Sequence, residues 1–194
     1  WNGVDYSHFT VLEKRMVRAY YAALVKQIDL EVGNILAALE ERGFLSNTVI
    51  VFSSDHGDYL GDHDLIGKGS FYESSVRIPL IVSAPNVPKA VCDTLVSLTD
   101  VRSTILAIAG RADAGNRDSL PLPALGLPSI GQHSQIMGAL DSGLMIFDGK
   151  WKLAKYATGE TVLFDIEKDP EEQENLYRLT KYFEIAHSLD KKLI

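Results

Sequence analysis

The feature that most constrains this chain is the run Thr48-Val49-Ile50-Val51-Phe52, followed without a break by Ser53-Ser54-Asp55-His56-Gly57-Asp58. Consecutive β-branched and aromatic residues with no polar alternation read as a buried strand of a layered α/β sheet. In such sheets ligands bind beyond the carboxyl ends of the strands, where the chain leaves the sheet and is free to turn. A carboxylate and an imidazole adjacent at that point can both reach one cation, and Gly57 permits the tight turn they need. Taken alone, the triplet Asp55-His56-Gly57 is a weak signal and reads first as a polar turn, with Asp55 capping a helix.

The flanking patterns supply the rest of a fold. Upstream, Leu12, Met16, Tyr20, Leu24, Ile28, Val32, Ile35, Leu36 and Leu39 recur at spacings of three and four, which predicts one long helix stopped at Gly43. Downstream, Ile78-Pro79-Leu80-Ile81-Val82 predicts a second buried strand, its proline marking an edge or a strand start. Asp100 to Ala109 has helical periodicity and ends at Gly110. Residues 111–132, rich in Gly, Pro, Ser and Ala, read as a linker or wandering loop. After them Gly143–Asp148, Trp151–Ala157 and Thr161–Asp165 predict an antiparallel meander joined by turns at Asp148-Gly149-Lys150 and Thr158-Gly159-Glu160. Asp169-Pro170-Glu171-Glu172 then predicts the cap and acidic first turn of a closing helix through Leu193. The whole is an α/β layered domain over residues 1–135, followed by a small antiparallel sheet with a C-terminal helix over residues 136–194.

Charge and composition narrow the partners. A formal net charge of −7 argues against broad binding to nucleic acid or to anionic lipid. An anionic substrate stays open, because a bound metal and one lysine can reverse the sign locally. No apolar run is long enough to span a bilayer. The single cysteine, Cys92, leaves no intrachain disulfide framework and no cysteine cage for zinc, and gives no hint of compartment. The chain opens at Trp1 without a Met or the layout of a signal peptide, the appearance expected of a segment excised from a longer protein.

The surroundings of the triplet change its weight. Ser54-Asp55-His56-Gly57, Gly61 and His63 fill the pattern S-D-H-G-x-x-x-G-x-H. Gly67-Lys68 follows, then Tyr72-Glu73, Arg77 and Pro79-Leu80 in the spacing Y-E-x-x-x-R-x-P-L. This run resembles the sulfatase family of the alkaline phosphatase superfamily. Tyr20-Tyr21-Ala22, Asp29 and Val32-Gly33 upstream are similar to it. So are Ser97-Leu98-Thr99-Asp100, although Arg102-Ser103 replaces the usual proline before Thr104. Asp148-Gly149-Lys150-Trp151-Lys152-Leu153, Leu163-Phe164-Asp165 and Glu174-Asn175-Leu176 look like the family's C-terminal subdomain. The resemblance implies a partial alkaline phosphatase-like α/β/α sheet domain and hydrolysis of a sulfate ester, carried by a small molecule or a glycan. Asp55 and His56 match the family's second pair of metal ligands, and Lys68 the lysine that contacts the sulfate or phosphate oxygens. His63 matches a position near the site that hydrogen-bonds substrate or supports its neighbours. Glu73 and Arg77 read as structural, in internal or surface ion pairs, and Asp58 and Asp62 as solvated loop carboxylates. The resemblance implies a divalent metal, calcium first, although an imidazole among the ligands keeps manganese and zinc open.

The chain departs from the family in what it lacks. The formylglycine nucleophile, made within a Cys- or Ser-x-Pro-x-Arg motif, and the first pair of aspartate ligands are expected upstream. Cys92 has neither the proline nor the arginine, and Ser83-Ala84-Pro85 has Val87 where arginine should stand. The expectation is therefore a fragment that needs the missing N-terminal half of its catalytic domain. In isolation it should be inactive and inclined to self-associate through exposed apolar edges. A phosphonate or phosphate ester hydrolase of the same superfamily, or a non-catalytic module retaining the fold, are the alternatives. Intact Asp55, His56 and Lys68 weigh against the last.

Overall fold

Thr10 and Glu13 start the first helix. In the computed structural model, which describes residues 4–111, 118–123, 125, 127 and 131–193, the Thr10 hydroxyl accepts the Glu13 N–H. The Glu13 carboxylate accepts the Thr10 N–H in return, a reciprocal capping box. After β1 (Val4–Asp5), helix α1 runs from Val11 to Glu41, and Gly43 turns left-handed just beyond it at φ 70°. The chain continues through β2 (Ile50–Ser53), β3 (Leu65–Ile66), the single turn α2 (Glu73–Val76), β4 (Leu80–Ser83) and α3 (Thr99–Ile108). It closes with β5 (Ile136–Leu140), β6 (Gly143–Phe147), β7 (Trp151–Tyr156), β8 (Thr161–Asp165) and α4 (Phe183–Asp190). It divides into two compact units. One holds the residues up to Lys68 together with Ser74–Val87, and the other holds Gly69–Glu73 together with the chain from Pro88 onward.

In the first unit β2 pairs antiparallel with β4, Val51 opposite Val82 and Phe52 opposite Ile81, and β1 pairs with β3. Pro79 precedes β4, so its missing N–H costs the ladder nothing. The expectation that both strands are buried is corrected, since Phe52 and Ile81 are exposed. A two-stranded sheet covers little of its own surface. The same holds for α1, in which no residue is buried.

The second unit has the larger core. Its sheet runs β5-β6-β7-β8, all antiparallel. Ile146, Leu153 and Leu163 stand opposite one another across three strands and pack with Leu176, Ala186 and Leu189. Fully burying side chains of this size contributes about 1.5–3 kcal/mol each. The next row, Met145-Ala154-Val162, belongs to the other face. On that face a Cβ added to Gly138 would lie 3.0 Å from the flexible Met145 Cε and 3.4 Å from the Phe71 ring, so the Met145 tip would have to give by a few tenths of an ångström. Lys152, 1 % exposed, donates to Glu73 at 2.5 Å, to Glu172 at 2.7 Å and to the Phe71 carbonyl at 3.0 Å. Asp100 is also buried. It accepts the Ser97 and Leu120 N–H groups and pairs with His133 Nε2 at 3.0 Å.

The closing helix is shorter than the sequence suggests. It begins at Phe183 rather than at Asp169. Glu172 adopts φ 56°, which no helix tolerates, and points its carboxylate at Lys152. Asn175 then accepts the Leu163 N–H and donates to the Thr161 carbonyl, holding the segment on β8 as an irregular strap. Of the wandering loop expected over 111–132, residues 112–117, 124, 126 and 128–130 lie outside the described residues.

Candidate active site

β2 ends at Ser53, and the chain turns at once. The His56 N–H donates to Asp55 Oδ1 at 3.0 Å, folding the carboxylate back on its own strand end. That hydrogen bond, aided by the His56 ring and the Ser54 hydroxyl and only partly opposed by desolvation, holds the Asp55 carboxyl below the usual carboxylate range. The other oxygen, Oδ2, stands 3.2 Å from His56 Nε2. His56 Nδ1 lies 2.8 Å from the Gly57 carbonyl. A carbonyl only accepts, so Nδ1 carries a proton, and Nε2, facing an amine that only donates, keeps its lone pair. The Lys68 amine donates to that lone pair. Asp55, His56 and Lys68 are thus brought together, half-buried apart from the exposed Asp55.

Gly57 is required by space. Its N–H donates to the Ser75 carbonyl at 2.8 Å, and a Cβ there would lie 2.0 Å from the Ser74 carbonyl oxygen. The loop that follows is tightly wound. Leu60, His63 and Asp64 adopt φ of 48°, 54° and 54°, and Gly61 and Gly67 adopt 108° and 87°. Left-handed non-glycine residues cost about 1–3 kcal/mol each, so the surroundings must hold them. They do so through α1: Arg18 donates to the Leu60 carbonyl at 2.8 Å and Lys14 to Asp64 at 3.3 Å.

The remaining sequence assignments separate. His63 sits half-buried on the 3₁₀ turn Asp62–Asp64. Asp62 is exposed, as a solvated carboxylate should be. Asp58 is only partly solvated: half-buried, it accepts the Leu60 and Gly67 N–H groups at 3.0 and 3.2 Å. The Asp-x-Leu spacing, a carboxylate two residues before an amide it can reach, was the available signal. Glu73 forms an internal ion pair with Lys152, while Arg77 is exposed. Cys92 is exposed.

Two ligand atoms of one cation, each about 2.0–2.4 Å from it and subtending about 90–110°, stand about 3–4 Å apart. Asp55 Oδ2 and His56 Nε2 meet that spacing at 3.2 Å. A carbonyl on the opposite ring nitrogen is also the support that metal-binding imidazoles use. Among the described residues no cluster of three or more His, Cys, Asp and Glu side chains surrounds a cation position. Nor is any helix among them long and apolar enough to cross a membrane.

Comparison with known proteins bears on this geometry. Residues 5–111 match the Sulfatase family model. Arylsulfatase K of Xenopus laevis is 37% identical over 204 residues, covering 95% of this chain and 38% of that protein. The chain therefore spans well under half the length of this relative. A solved 2-O GAG sulfatase superposes with a TM-score of 0.87 at 25% identity, covering 96% of this chain and 44% of the other. The phosphonate monoester hydrolase of Agrobacterium radiobacter superposes with a TM-score of 0.84 at 24% identity, covering 96% and 42%, a likeness of fold. The mixed α/β architecture is that of the alkaline phosphatase-like neighbours, and the Asp55-His56-Lys68 arrangement lies within the matched segment. This chain belongs to the sulfatase family.

Proposed function

We propose that the protein containing this chain hydrolyses sulfate monoesters, and that this chain supplies the Asp55-His56-Lys68 side of the active site. The overall reaction breaks the bond between sulfur and the ester oxygen, turning ester and water into an alcohol and hydrogen sulfate. The observation that carries the reading is the convergence of the Lys68 amine, Asp55 Oδ2 and the Nε2 of His56, whose amine contact uses the Nε2 lone pair. Lys68 has three N–H donors. One reaches His56 here; with a cation on that nitrogen, the amine would turn to the nonbridging oxygens of a sulfate. A positive charge on oxygens that gain charge in the transition state lowers the barrier.

Asp55 Oδ2 and His56 Nε2 would hold a divalent cation, with further ligands from outside the described residues. Calcium is the family's first implication, and the imidazole keeps manganese and zinc in play. When bound, the ion supplies a Lewis acid against the sulfate oxygens. The nucleophile and the first aspartate pair come from the missing N-terminal half of the catalytic domain. That half would also cover the exposed α1 stripe of Leu12, Met16, Tyr20, Leu24 and Ile28. Sulfate is preferred to phosphonate because the closer sequence relative is named an arylsulfatase. A sulfated glycan is the favoured substrate class, since a structural neighbour is named a GAG sulfatase.

The test is turnover of 4-nitrophenyl sulfate by the full-length enzyme and its Lys68→Ala variant. A loss of about a hundred- to a thousandfold is expected on removing one positioned donor. Equal rates would make Lys68 a bystander and overturn the assignment. The chain alone should show no turnover, and activity from it would overturn the division of the site between two halves.

A further inference from the structure

The geometry points to Asp58 as a positioning residue for Lys68, an inference that rests on the hydrolase reading above. Asp58 lies two residues after His56. Its Oδ1 accepts the Leu60 N–H at 3.0 Å and, across the loop, the Gly67 N–H at 3.2 Å. Gly67 is the residue before Lys68. It is gripped from its other side as well, because its carbonyl accepts the Tyr59 N–H at 2.9 Å and Tyr59 is only 1 % exposed. Two adjacent residues of the outgoing chain thus hold both polar groups of one residue on the returning chain. The Lys68 side chain starts one peptide away from that clamp.

The clamp matters because of what lysine is. Its four-carbon stem is freely rotatable, and holding it in one geometry costs about 2 kcal/mol of rotamer entropy. A stem whose root also drifts would spread the amine over many positions. A misplacement of about 1 Å costs on the order of a hundredfold in rate. The working part of Asp58 is an acceptor oxygen rather than a charge, since both recorded partners are neutral backbone N–H groups. A proton-transfer group would need the carboxylate itself. Asparagine keeps the acceptor and removes the charge.

The experiment compares Asp58→Asn and Asp58→Ala in the full-length enzyme, alone and combined with Lys68→Ala, using 4-nitrophenyl sulfate. Asp58→Asn should keep kcat within about threefold of the parent, and Asp58→Ala should lower it by about ten- to a hundredfold. In the Lys68→Ala background Asp58→Ala should cost nothing more, because the residue acts through the lysine. If Asp58→Ala does not fold, Asp58→Ser, too short to span the loop to Gly67, takes its place. Amide exchange should show Gly67 protected in the parent and in Asp58→Asn, and exposed in the shortened variant. An active parent with Asp58→Asn as slow as Asp58→Ala, or with additive losses in the double variant, overturns the role of Asp58 alone. A parent inert toward the sulfate ester overturns the hydrolase reading, and the Asp58 role falls with it.

Discussion

The Gly57 N–H donates to the Ser75 carbonyl at 2.8 Å, and a Cβ on Gly57 would lie 2.0 Å from the Ser74 carbonyl oxygen. Two stretches of backbone are in direct contact, with no flexible side chain able to yield. Gly57→Ala must therefore move main chain on one side or the other. A destabilisation of about 1–3 kcal/mol is expected, read as a lower melting temperature. The same shift takes the Gly57 carbonyl away from His56 Nδ1. Loss of such a supporting partner typically costs about 10- to 100-fold in metal affinity. An alanine variant that melts with the parent and binds metal equally would contradict this packing.

In the proposed metal site Asp55 and His56 would offer two ligand atoms, whereas calcium takes six or more. The chain alone should bind divalent ions no more tightly than about 10⁻⁴ M, the range of the weakest protein calcium sites. Titration calorimetry decides it, with Asp55→Asn expected to weaken even that binding. Because the Asp55 carboxyl is held below the usual carboxylate range, chiefly by the His56 N–H, acidification from pH 7 to about pH 5 should leave its contribution unchanged. Tight binding of one calcium per chain would mean that further ligands are present.

Glu172 predicts a pH effect of definite sign. Burial pushes its carboxyl above the ordinary value of 4.5, against the pull of Lys152. The folded chain thus binds the proton more readily than the unfolded chain. Its contribution to stability is full below 4.5 and is lost as pH rises through the raised value. Glu172→Gln removes this titration and leaves Lys152 paired with Glu73. The melting temperature of the variant minus that of the parent should rise from pH 4.5 upward. Carboxylates shared by both proteins cancel in the difference. A flat or falling difference would refute the assignment.

Helix α1 exposes Leu12, Met16, Tyr20, Leu24, Ile28 and Ile35. Spacing of three and four gathers such residues into one stripe, larger than the scattered apolar residues normal on a monomer. The isolated chain should self-associate in light scattering. Leu24→Glu with Ile28→Glu should shift it toward monomer without loss of helical circular dichroism. A parent chain that is already monomeric, with a cooperative high-temperature melt, would argue against the uncovered face.

The local grammar of the fold was legible where one segment decides its own fate. The apolar spacing of α1, the stop at Gly43, the three strands from Gly143 to Asp165 and the helix ending near Gly110 all follow from near-neighbour chemistry. The turn at Ser54-Asp55-His56-Gly57 was legible for the same reason, but its reading as a metal-ligand pair, like that of Lys68, came only through the family pattern. β5 was missed because Ile-Met-Gly-Ala-Leu has little strand propensity, and its place is set by pairing with β6. Glu172 read as a helix start because nothing in its neighbourhood announces a buried lysine 20 residues earlier in the chain. Asp58 read as solvated because its second partner, Gly67, is nine positions away. In each case the missing information was the identity of a distant partner.

The contact between Lys68 and His56 Nε2 sets two occupants against each other for one lone pair. A cation can take that nitrogen only in the fraction of molecules whose lysine has swung away, so its apparent affinity is the intrinsic value reduced by that fraction. On the proposed reading, Lys68 would then be an internal competitor for the site it serves. Its removal should tighten metal binding while slowing turnover, two changes of opposite sign from one substitution. If the proposed metal site is right, such an arrangement would resist casual loading by whichever divalent ion is abundant, and would yield the nitrogen most readily once an anion gave the lysine another partner.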